Sequence, residues 1–213
     1  MKLQNFKVVY ICPDHNEKYH TRKLHMDNLL KSMGFLDIVH YKSGTEKYPK
    51  CLTLALTTVL ETYIDEPFLL LEDDVEYTGL STDIDIPENA DAIYLGLSRS
   101  AGHPIENRNI YYAQFDHYSS TQVRVMNMLG SHAIFYNSKR YKQAVIDILN
   151  KEWKTFALDV SVSRIQPIYN IYANMCPLFF QSNKFNNDSN INVEAGTKLQ
   201  VASNLYGWFV IPK

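Results

Sequence analysis

Short apolar runs and helical patterns alternate along the first 71 residues, and this alternation is the strongest constraint on the fold of the chain. Three runs typical of buried strands occupy 6–12, 36–41 and 68–71. Between them, 16–33 and 52–63 carry apolar residues at helical spacing. This order of strands and helices predicts parallel strands joined by right-handed crossovers. We therefore predict an α/β fold whose central sheet is mostly parallel and flanked by helices.

Further strands and one helix are predicted in the remainder of the chain. In chain order we predict a strand at 91–97, a long polar loop at 98–109, a strand at 131–136, a helix at 138–150 and a short strand at 178–181. Ser138 has the side chain expected of a helix N-cap. The Asn- and Ser-rich stretch 183–192 has turn chemistry, and we predict that it is mobile.

Size and composition limit the classes of protein to which the chain can belong. With 213 residues, 46% of them hydrophobic and 21% charged, the chain fits a single domain spanning 1–213. A net charge of -2 supplies no basic field, so we expect no nucleic acid partner. The three cysteines are widely spaced, which predicts a reducing compartment, and no apolar run approaches the ~20 residues of a membrane-spanning helix. We expect a cytoplasmic protein without membrane insertion, either monomeric or weakly oligomeric.

An acidic run follows the third predicted strand directly. Glu72, Asp73 and Asp74 therefore lie at the carboxyl end of a parallel strand, where open α/β sheets bind ligands. Adjacent carboxylates repel one another unless a positive group lies between them. Because side chains two apart project to the same side, Glu72 and Asp74 are predicted to share one Mn²⁺ or Mg²⁺ ion, with Asp73 directed toward a ribose or a backbone donor. A solvated acidic turn is the alternative interpretation of this run.

Four segments, in the same order along the chain, resemble the motifs of a known enzyme family. They are 70–75 (LLEDDV), 130–136 (GSHAIFY), 158–159 (LD), and 176–181 (CPLFFQ) with 189–191 (SNI). On these motifs the chain resembles the GT-A glycosyltransferases. It is especially similar to the lipopolysaccharide-biosynthesis and collagen galactosyltransferase family, including glycosyltransferase domains of large DNA viruses. Asn190 stands where that family has Asp.

The resemblance implies a GT-A-like, Rossmann-like fold and a reaction. The nucleotide-sugar-binding part would span about 1–97 and the acceptor-side part about 98–213. The reaction would be metal-dependent transfer of a sugar from a nucleoside-diphosphate sugar to a hydroxyl of an oligosaccharide or glycoprotein glycan. The resemblance implies that the donor is a UDP-sugar. Asp159 would take the proton of that hydroxyl on an inverting route, and His132 would belong to the metal site. The alternatives are an N-cap role for Asp159 and a buried core role for His132.

In this fold the loop after the first strand receives the nucleotide base. By the same resemblance, Cys12 would form part of the floor, and Asp14 and His15 would contact the uracil or ribose. Lys50, Arg22 and Lys23 are the candidates for contacts with the phosphates. The alternatives are that Asp14 caps the following helix and that the basic side chains are solvated.

Two other classes of function remain open at this stage. A magnesium-dependent phosphotransferase also places acids after a strand, but it requires a nucleophilic Asp with a second Asp two residues later, normally on the first strand. A carbohydrate-binding or nucleotide-sugar-binding module would use the acids to hold a cation without catalysing a reaction.

Overall fold

The computed structural model describes residues 1–110, 112–182 and 184, which form twelve strands and four α-helices. Apart from Lys184, the stretch 183–192 that we predicted to be mobile lies outside the described residues. The strands are β1 (Lys7–Ile11), β2 (Ile38–Tyr41), β3 (Phe68–Glu72), β4 (Val75–Tyr77), β5 (Ala92–Tyr94), β6 (Ala101–Gly102), β7 (Asn109–Ile110), β8 (Gln114–His117), β9 (Gln122–Asn127), β10 (Ala133–Tyr136), β11 (Ile171–Asn174) and β12 (Phe179–Gln181). The helices are α1 (Glu17–Ser32), α2 (Lys50–Thr62), α3 (Lys139–Glu152) and α4 (Leu158–Ser163).

Eight of the strands form one central sheet in the order β2-β1-β3-β10-β5-β11-β9-β8. Strands β2, β1 and β3 run parallel to one another, and β11 runs parallel to β5. Strand β10 is antiparallel to both of its neighbours, and so is β9. Six of the eight strands therefore point in one direction. The prediction of a mostly parallel α/β sheet flanked by helices is confirmed.

The central strands are buried on both faces. In β1, Val9 and Ile11 belong to a core shared with α2, α3 and α4, whereas Val8 and Tyr10 belong to a second core shared with α1. This alternation follows from the period of two along a strand. Because both faces are covered, the central strands read as continuous apolar runs, and the ends of the strands are left for polar function.

The helix N-termini settle two alternatives that the sequence left open. Asn16 caps α1, because its Oδ1 accepts a hydrogen bond from Tyr19 N at 3.1 Å. Asp14 is therefore not the cap. Asp159 lies within the first turn of α4, which begins after Ala157, so Asp159 is not an N-cap either. The prediction that Ser138 caps α3 is confirmed, since its Oγ accepts from Tyr141 N at 3.2 Å.

Several short elements were not predicted. The polar segment 98–109 contains β6 and the start of β7, which pair as a small hairpin. Strands β8, β9 and β11 extend the central sheet. The predicted strand at 178–181 is present as β12, and it pairs with the unpredicted β4 in a separate two-stranded sheet. None of the described helices is both long and apolar enough to cross a bilayer.

Candidate active site

A cavity of about 360 Å³ opens at the carboxyl ends of β1 and β3, and we call it the acidic cavity. Its walls come from the loops after β1 and β2, from α1, α2 and α4, and from β12. Five acidic residues line it, namely Glu46, Glu72, Asp73, Asp74 and Asp159. Glu46 and the acidic run meet because β2 and β3 are parallel and end on the same side of the sheet, whereas α4 contributes Asp159.

Glu72 is the last residue of β3, and its carboxylate is held by two polar side chains. Ser131 Oγ donates to its Oε1 at 2.9 Å, and Gln181 Nε2 donates to its Oε2 at 3.2 Å. Burial and the negative charge of Asp74 raise the pKa of Glu72, while the bond from Ser131 opposes this effect. The carboxylate is therefore fixed in position but not neutralised by a cationic side chain.

Asp73 differs from its neighbours because it has a cationic partner. Arg22, on α1, lies with its Nη1 2.9 Å from Asp73 Oδ1, and both side chains are buried. The thiol of Cys12 lies behind it and donates to the carbonyl oxygen of Pro13 at 3.1 Å. Burial still raises the pKa of Asp73, and the Arg22 charge lowers it. Asp73 thus has a cationic partner while it lines the same cavity as Glu72 and Asp74, and its contact with a ribose stays a prediction.

Asp74 is 6% exposed, yet its Oδ1 has no hydrogen-bond partner among the described residues. Burial raises its pKa, the charge of Asp73 raises it further, and Arg22 and a hydrogen bond from Gln181 lower it. A buried carboxylate oxygen without a partner costs free energy, which a bound cation would recover.

Asp159 lines the same cavity from α4. Val160 N donates to its Oδ1 at 2.9 Å, and the backbone of Gly130 lines the cavity beside it. Burial raises the pKa of Asp159, and the bond from Val160 N opposes the rise. Its negative charge raises the pKa of Glu72, so the two carboxylates act on each other across the cavity.

The lining of the acidic cavity therefore carries an excess of negative charge. Among the described residues that line it, Arg22 is the one Lys or Arg side chain. The oxygen-only donors Glu72 and Asp74 suit a hard divalent cation. Within residues 1–110, 112–182 and 184, no three His, Cys, Asp or Glu side chains form a metal-binding group. A cation here would have two carboxylate ligands at most and would complete its shell with water or ligand oxygens, as Mg²⁺ commonly does.

The structure places His132 beside the acidic run but outside the lining of the cavity. Its ring is buried and packs on Gly96, where an added Cβ would lie 1.9 Å from Nε2. Burial lowers the pKa of His132 to about 4, so the ring is neutral at pH 7. Its backbone carbonyl accepts from Glu72 N at 3.0 Å. The geometry favours the core interpretation of His132 and leaves its role as a metal ligand a prediction.

The residues predicted for the donor side have different positions. His15 lines the cavity and lies 4.9 Å from the ring of Tyr19. Cys12, Asp14 and Lys50 are not among the lining residues. Cys12 is buried behind the wall, Lys50 is exposed at the start of α2, and Asp14 forms an ion pair with Lys42 at 2.6 Å.

Several lining residues were missed by the sequence analysis. The loop after β2 contributes Ser43, Gly44, Thr45 and Glu46, and Tyr48 follows it. This loop leaves the carboxyl end of a parallel strand, so the rule that located the acidic run also applied to it. The contacts of Ser131 and Gln181 with Glu72 span 59 and 109 residues, and no local pattern indicates them.

Comparison with known proteins gives a fold but no family. No family model matches the sequence, and no curated protein matches it. A glycosyltransferase involved in the glycosylation of the major capsid of PBCV-1 has a TM-score of 0.50 and 10% identity, over 93% of this chain and 99% of that chain. A UDP-glucose pyrophosphorylase complexed with UDP-glucose has a TM-score of 0.45 and 12% identity, over 80% and 73%. The nucleoside-diphosphate-sugar pyrophosphorylase of Vibrio cholerae RC9 has a TM-score of 0.42 and 15% identity, over 78% and 70%. The likeness to the PBCV-1 enzyme shows a shared fold, and the two weaker ones add nothing to it.

Proposed function

We propose that the chain is a metal-dependent glycosyltransferase that moves a sugar from a nucleoside-diphosphate sugar to a hydroxyl of a glycan acceptor. The observation that carries this proposal is the acidic cavity, in which Glu72, Asp74 and Asp159 converge with raised pKa values and little cationic compensation. Such perturbed groups in a cleft are typical of functional sites. The fold shared with a glycosyltransferase is consistent with the proposal.

The residues present fit a divalent cation. Asp74 Oδ1 is buried without a partner, and Glu72 contributes a second carboxylate fixed by Ser131 and Gln181. We propose these two acids as ligands of Mn²⁺ or Mg²⁺, with the remaining positions open to diphosphate oxygens. When bound, the ion would neutralise the charge that develops on the leaving diphosphate.

The donor would lie along the loops after β1 and β2. His15 and Tyr19 offer aromatic surface for a uracil ring, and the loop at Ser43 offers polar groups for the ribose. Asp73, held by Arg22, remains our candidate for the ribose hydroxyls. In this proposal 1–97 forms most of the donor side and 98–213 most of the acceptor side.

Asp159 is the proposed catalytic base. The acceptor oxygen would attack the anomeric carbon, the bond from that carbon to the diphosphate oxygen would break, and the hydroxyl proton would pass to Asp159. Its burial strengthens it as a base, while the hydrogen bond from Val160 N holds its orientation. A base opposite the leaving group corresponds to inversion at the anomeric carbon.

Titration of a panel of nucleoside-diphosphate sugars by calorimetry, with and without Mn²⁺, tests donor binding. We expect one donor to bind in a manner that requires the metal. Product analysis with Asp159→Asn then tests catalysis, because loss of a positioned base should slow transfer about 10²- to 10⁴-fold without weakening donor binding.

Two outcomes would contradict the proposal. Binding that is unaffected by Mn²⁺ for every nucleotide sugar would remove the role of the acidic run. Metal-dependent binding with no transfer to any acceptor, and no difference between the wild-type protein and Asp159→Asn, would instead indicate a non-catalytic nucleotide-sugar-binding module.

A further inference from the structure

A second cavity, of about 480 Å³, adjoins the acidic cavity, and we call it the aromatic cleft. The rings of Tyr48, Trp153 and Phe156 line it together with the side chains of Asn107 and Lys154. Its volume lies within the ~300–1,000 Å³ typical of small-ligand pockets, and aromatic walls with a few polar groups are their usual composition.

The aromatic cleft is connected to the proposed catalytic base in two ways. Tyr48 lines both cavities. Asp159 also lines the acidic cavity, so Tyr48 shares that cavity with the carboxylate. In addition, Ala157 lines the cleft and precedes Leu158 and Asp159, which line the acidic cavity. A ligand in the cleft would therefore end beside Asp159.

The walls of the cleft are fixed before any ligand binds. Phe156 lies beneath the guanidinium of Arg164, 4.6 Å from the ring centroid, and Arg164 Nη1 is 2.9 Å from Glu152 Oε2. The backbone turn is closed by bonds from Thr155 N and Phe156 N to the carbonyl of Glu152. A rigid wall lowers the entropy cost of binding.

The polar groups of the cleft differ in charge from those of the acidic cavity. Among the described residues that line the cleft there is no carboxylate, and Lys154 supplies a positive charge 5.3 Å from the Trp153 ring. Asn107 Oδ1 accepts from Ala157 N at 2.8 Å, so the amide group of Asn107 remains as a donor. The cleft thus offers aromatic faces and hydrogen-bond donors, but no carboxylate that would bind a divalent cation.

We propose that the aromatic cleft is the acceptor subsite and binds a pyranose unit of a glycan, with Trp153 and Phe156 against its C–H faces. This assignment rests on the proposed function, because it gives the acceptor a place from which one hydroxyl reaches Asp159. The occupant is a carbohydrate because the rings match the apolar faces of a sugar and Asn107, Lys154 and Tyr48 match its hydroxyls.

A binding test needs no donor. Trp153 and Trp208 are the two tryptophans of the chain, so a Trp208→Phe variant isolates the emission of Trp153. Titrating this variant with a panel of methyl pyranosides and their disaccharides should give a saturable change in emission for at least one of them. No change across the whole panel would overturn the proposal.

A kinetic test separates the two subsites. With the most reactive sugar of the panel, Trp153→Ala should raise the acceptor KM about 10-fold, with the donor KM and the rate of donor hydrolysis unchanged. Trp153→Phe should restore part of the affinity. Tyr112→Ala is the matched control, because Tyr112 is 78% exposed and lines neither cavity. Equal acceptor KM values for Trp153→Ala and Tyr112→Ala would overturn the assignment.

These outcomes are distinct from failure of the proposed function. If no nucleotide sugar binds the wild-type protein but pyranosides still change the emission of Trp153, the proposed function fails and the cleft remains a saccharide site. If donor binds and is transferred while Trp153→Ala leaves the acceptor KM unchanged, the proposed function stands and the subsite is wrong.

Discussion

Two buried aspartates, at opposite edges of the central sheet, are compensated in opposite ways. Asp91 precedes β5 on the side of the sheet where the parallel strands begin, which we call the amino edge. It is 2% exposed and accepts hydrogen bonds from Ser138 Oγ, the Arg140 guanidinium and Asn170 N. Asp74, which follows β3 at the carboxyl edge, is 6% exposed and has an oxygen without a partner among the described residues.

The pKa values of the two groups move in opposite directions for this reason. The bonds from Arg140 and Ser138 outweigh burial and lower the pKa of Asp91, whereas burial and the charge of Asp73 raise the pKa of Asp74. At the amino edge, the Asp91 carboxylate links β5 to α3 and to the start of β11 through hydrogen bonds. At the carboxyl edge, the carboxylates of Glu72 and Asp74 have no cationic side chain paired with them, so a bound cation would have to neutralise them.

The largest expected effect is on stability at the amino edge. Asp91→Asn removes the buried negative charge that pairs with Arg140, and it should lower the free energy of unfolding by about 3 kcal/mol. Urea unfolding followed by circular dichroism measures this change. Asp65→Asn is the control, because Asp65 pairs with Lys139 on the same helix but is exposed, and it should change stability by less than about 0.5 kcal/mol. Equal losses of unfolding free energy for the two variants would show that the buried position of Asp91 adds nothing to its contribution to stability.

At the carboxyl edge we expect a loss of ligand binding without a loss of stability. Asp74→Asn should weaken Mn²⁺-dependent donor binding about 100-fold, since one charged ligand oxygen is lost. The metal-free variant should be as stable as the wild-type protein or more so. Calorimetry and urea unfolding measure the two quantities.

Glu76→Gln provides the matched control for this substitution. Glu76 is held by Ser182 and Lys184 and does not line the acidic cavity, so donor binding should persist. Destabilisation of metal-free Asp74→Asn by several kcal/mol would show that Asp74 is structural.

A smaller effect, dependent on pH, should distinguish the same two groups. The folded-state pKa of Asp91 is lowered. Its contribution to folding stability is therefore fully present above its ordinary pKa of about 4, and it is lost as pH falls through the lowered pKa. The folded-state pKa of Asp74 is raised, so its contribution is fully present below pH about 4 and is lost as pH rises through the raised value.

The difference in unfolding free energy between the wild-type protein and each variant isolates these contributions. For Asp91→Asn the difference should shrink in acid. The unfolding free energy of Asp74→Asn should increase relative to that of the metal-free wild-type protein as pH rises, and added Mn²⁺ should remove this increase. Parallel pH profiles for the two differences would contradict this account.

The smallest effect is expected at Ser131. Ser131→Ala removes the hydroxyl that donates to Glu72 at 2.9 Å, a bond with a net contribution of about 1 kcal/mol, so metal-dependent donor affinity should fall about 5-fold. Calorimetry measures the affinity, and Ser32→Ala, on the exposed face of α1, should leave it unchanged. No change in Ser131→Ala would mean that Gln181 alone positions Glu72.

The central part of the fold was predictable from the sequence because its signals are local. The apolar run of β3, the helical spacing of α2 and the cap at Ser138 each depend on neighbours within a few residues. Strand β11 has four residues, and it is defined by pairing with β5 and β9 across long separations. Strands β8 and β9 form a hairpin across Ser119 and Ser120, which are a weak turn signal in a sequence that has no glycine or proline there.

The site was predictable to the extent that it lies on one strand. Glu72, Asp73 and Asp74 were found because an apolar strand leads directly into them, and Asp159 was named only through resemblance. The Arg22–Asp73 ion pair joins residues 51 apart, and the position of Tyr48 between two cavities depends on how a loop folds back. Spacing along the chain carries no information about such contacts.

The His132 ring packs on Gly96, and this contact connects Gly96 with Glu72 at the end of β3. A methyl group at position 96 has no room, so the imidazole would have to turn or move outward. The His132 carbonyl accepts a hydrogen bond from Glu72 N, so the ring that packs on Gly96 belongs to the residue that pairs with the backbone of the first acid. A side chain at position 96 would therefore disturb the neighbourhood of Glu72 without entering the acidic cavity.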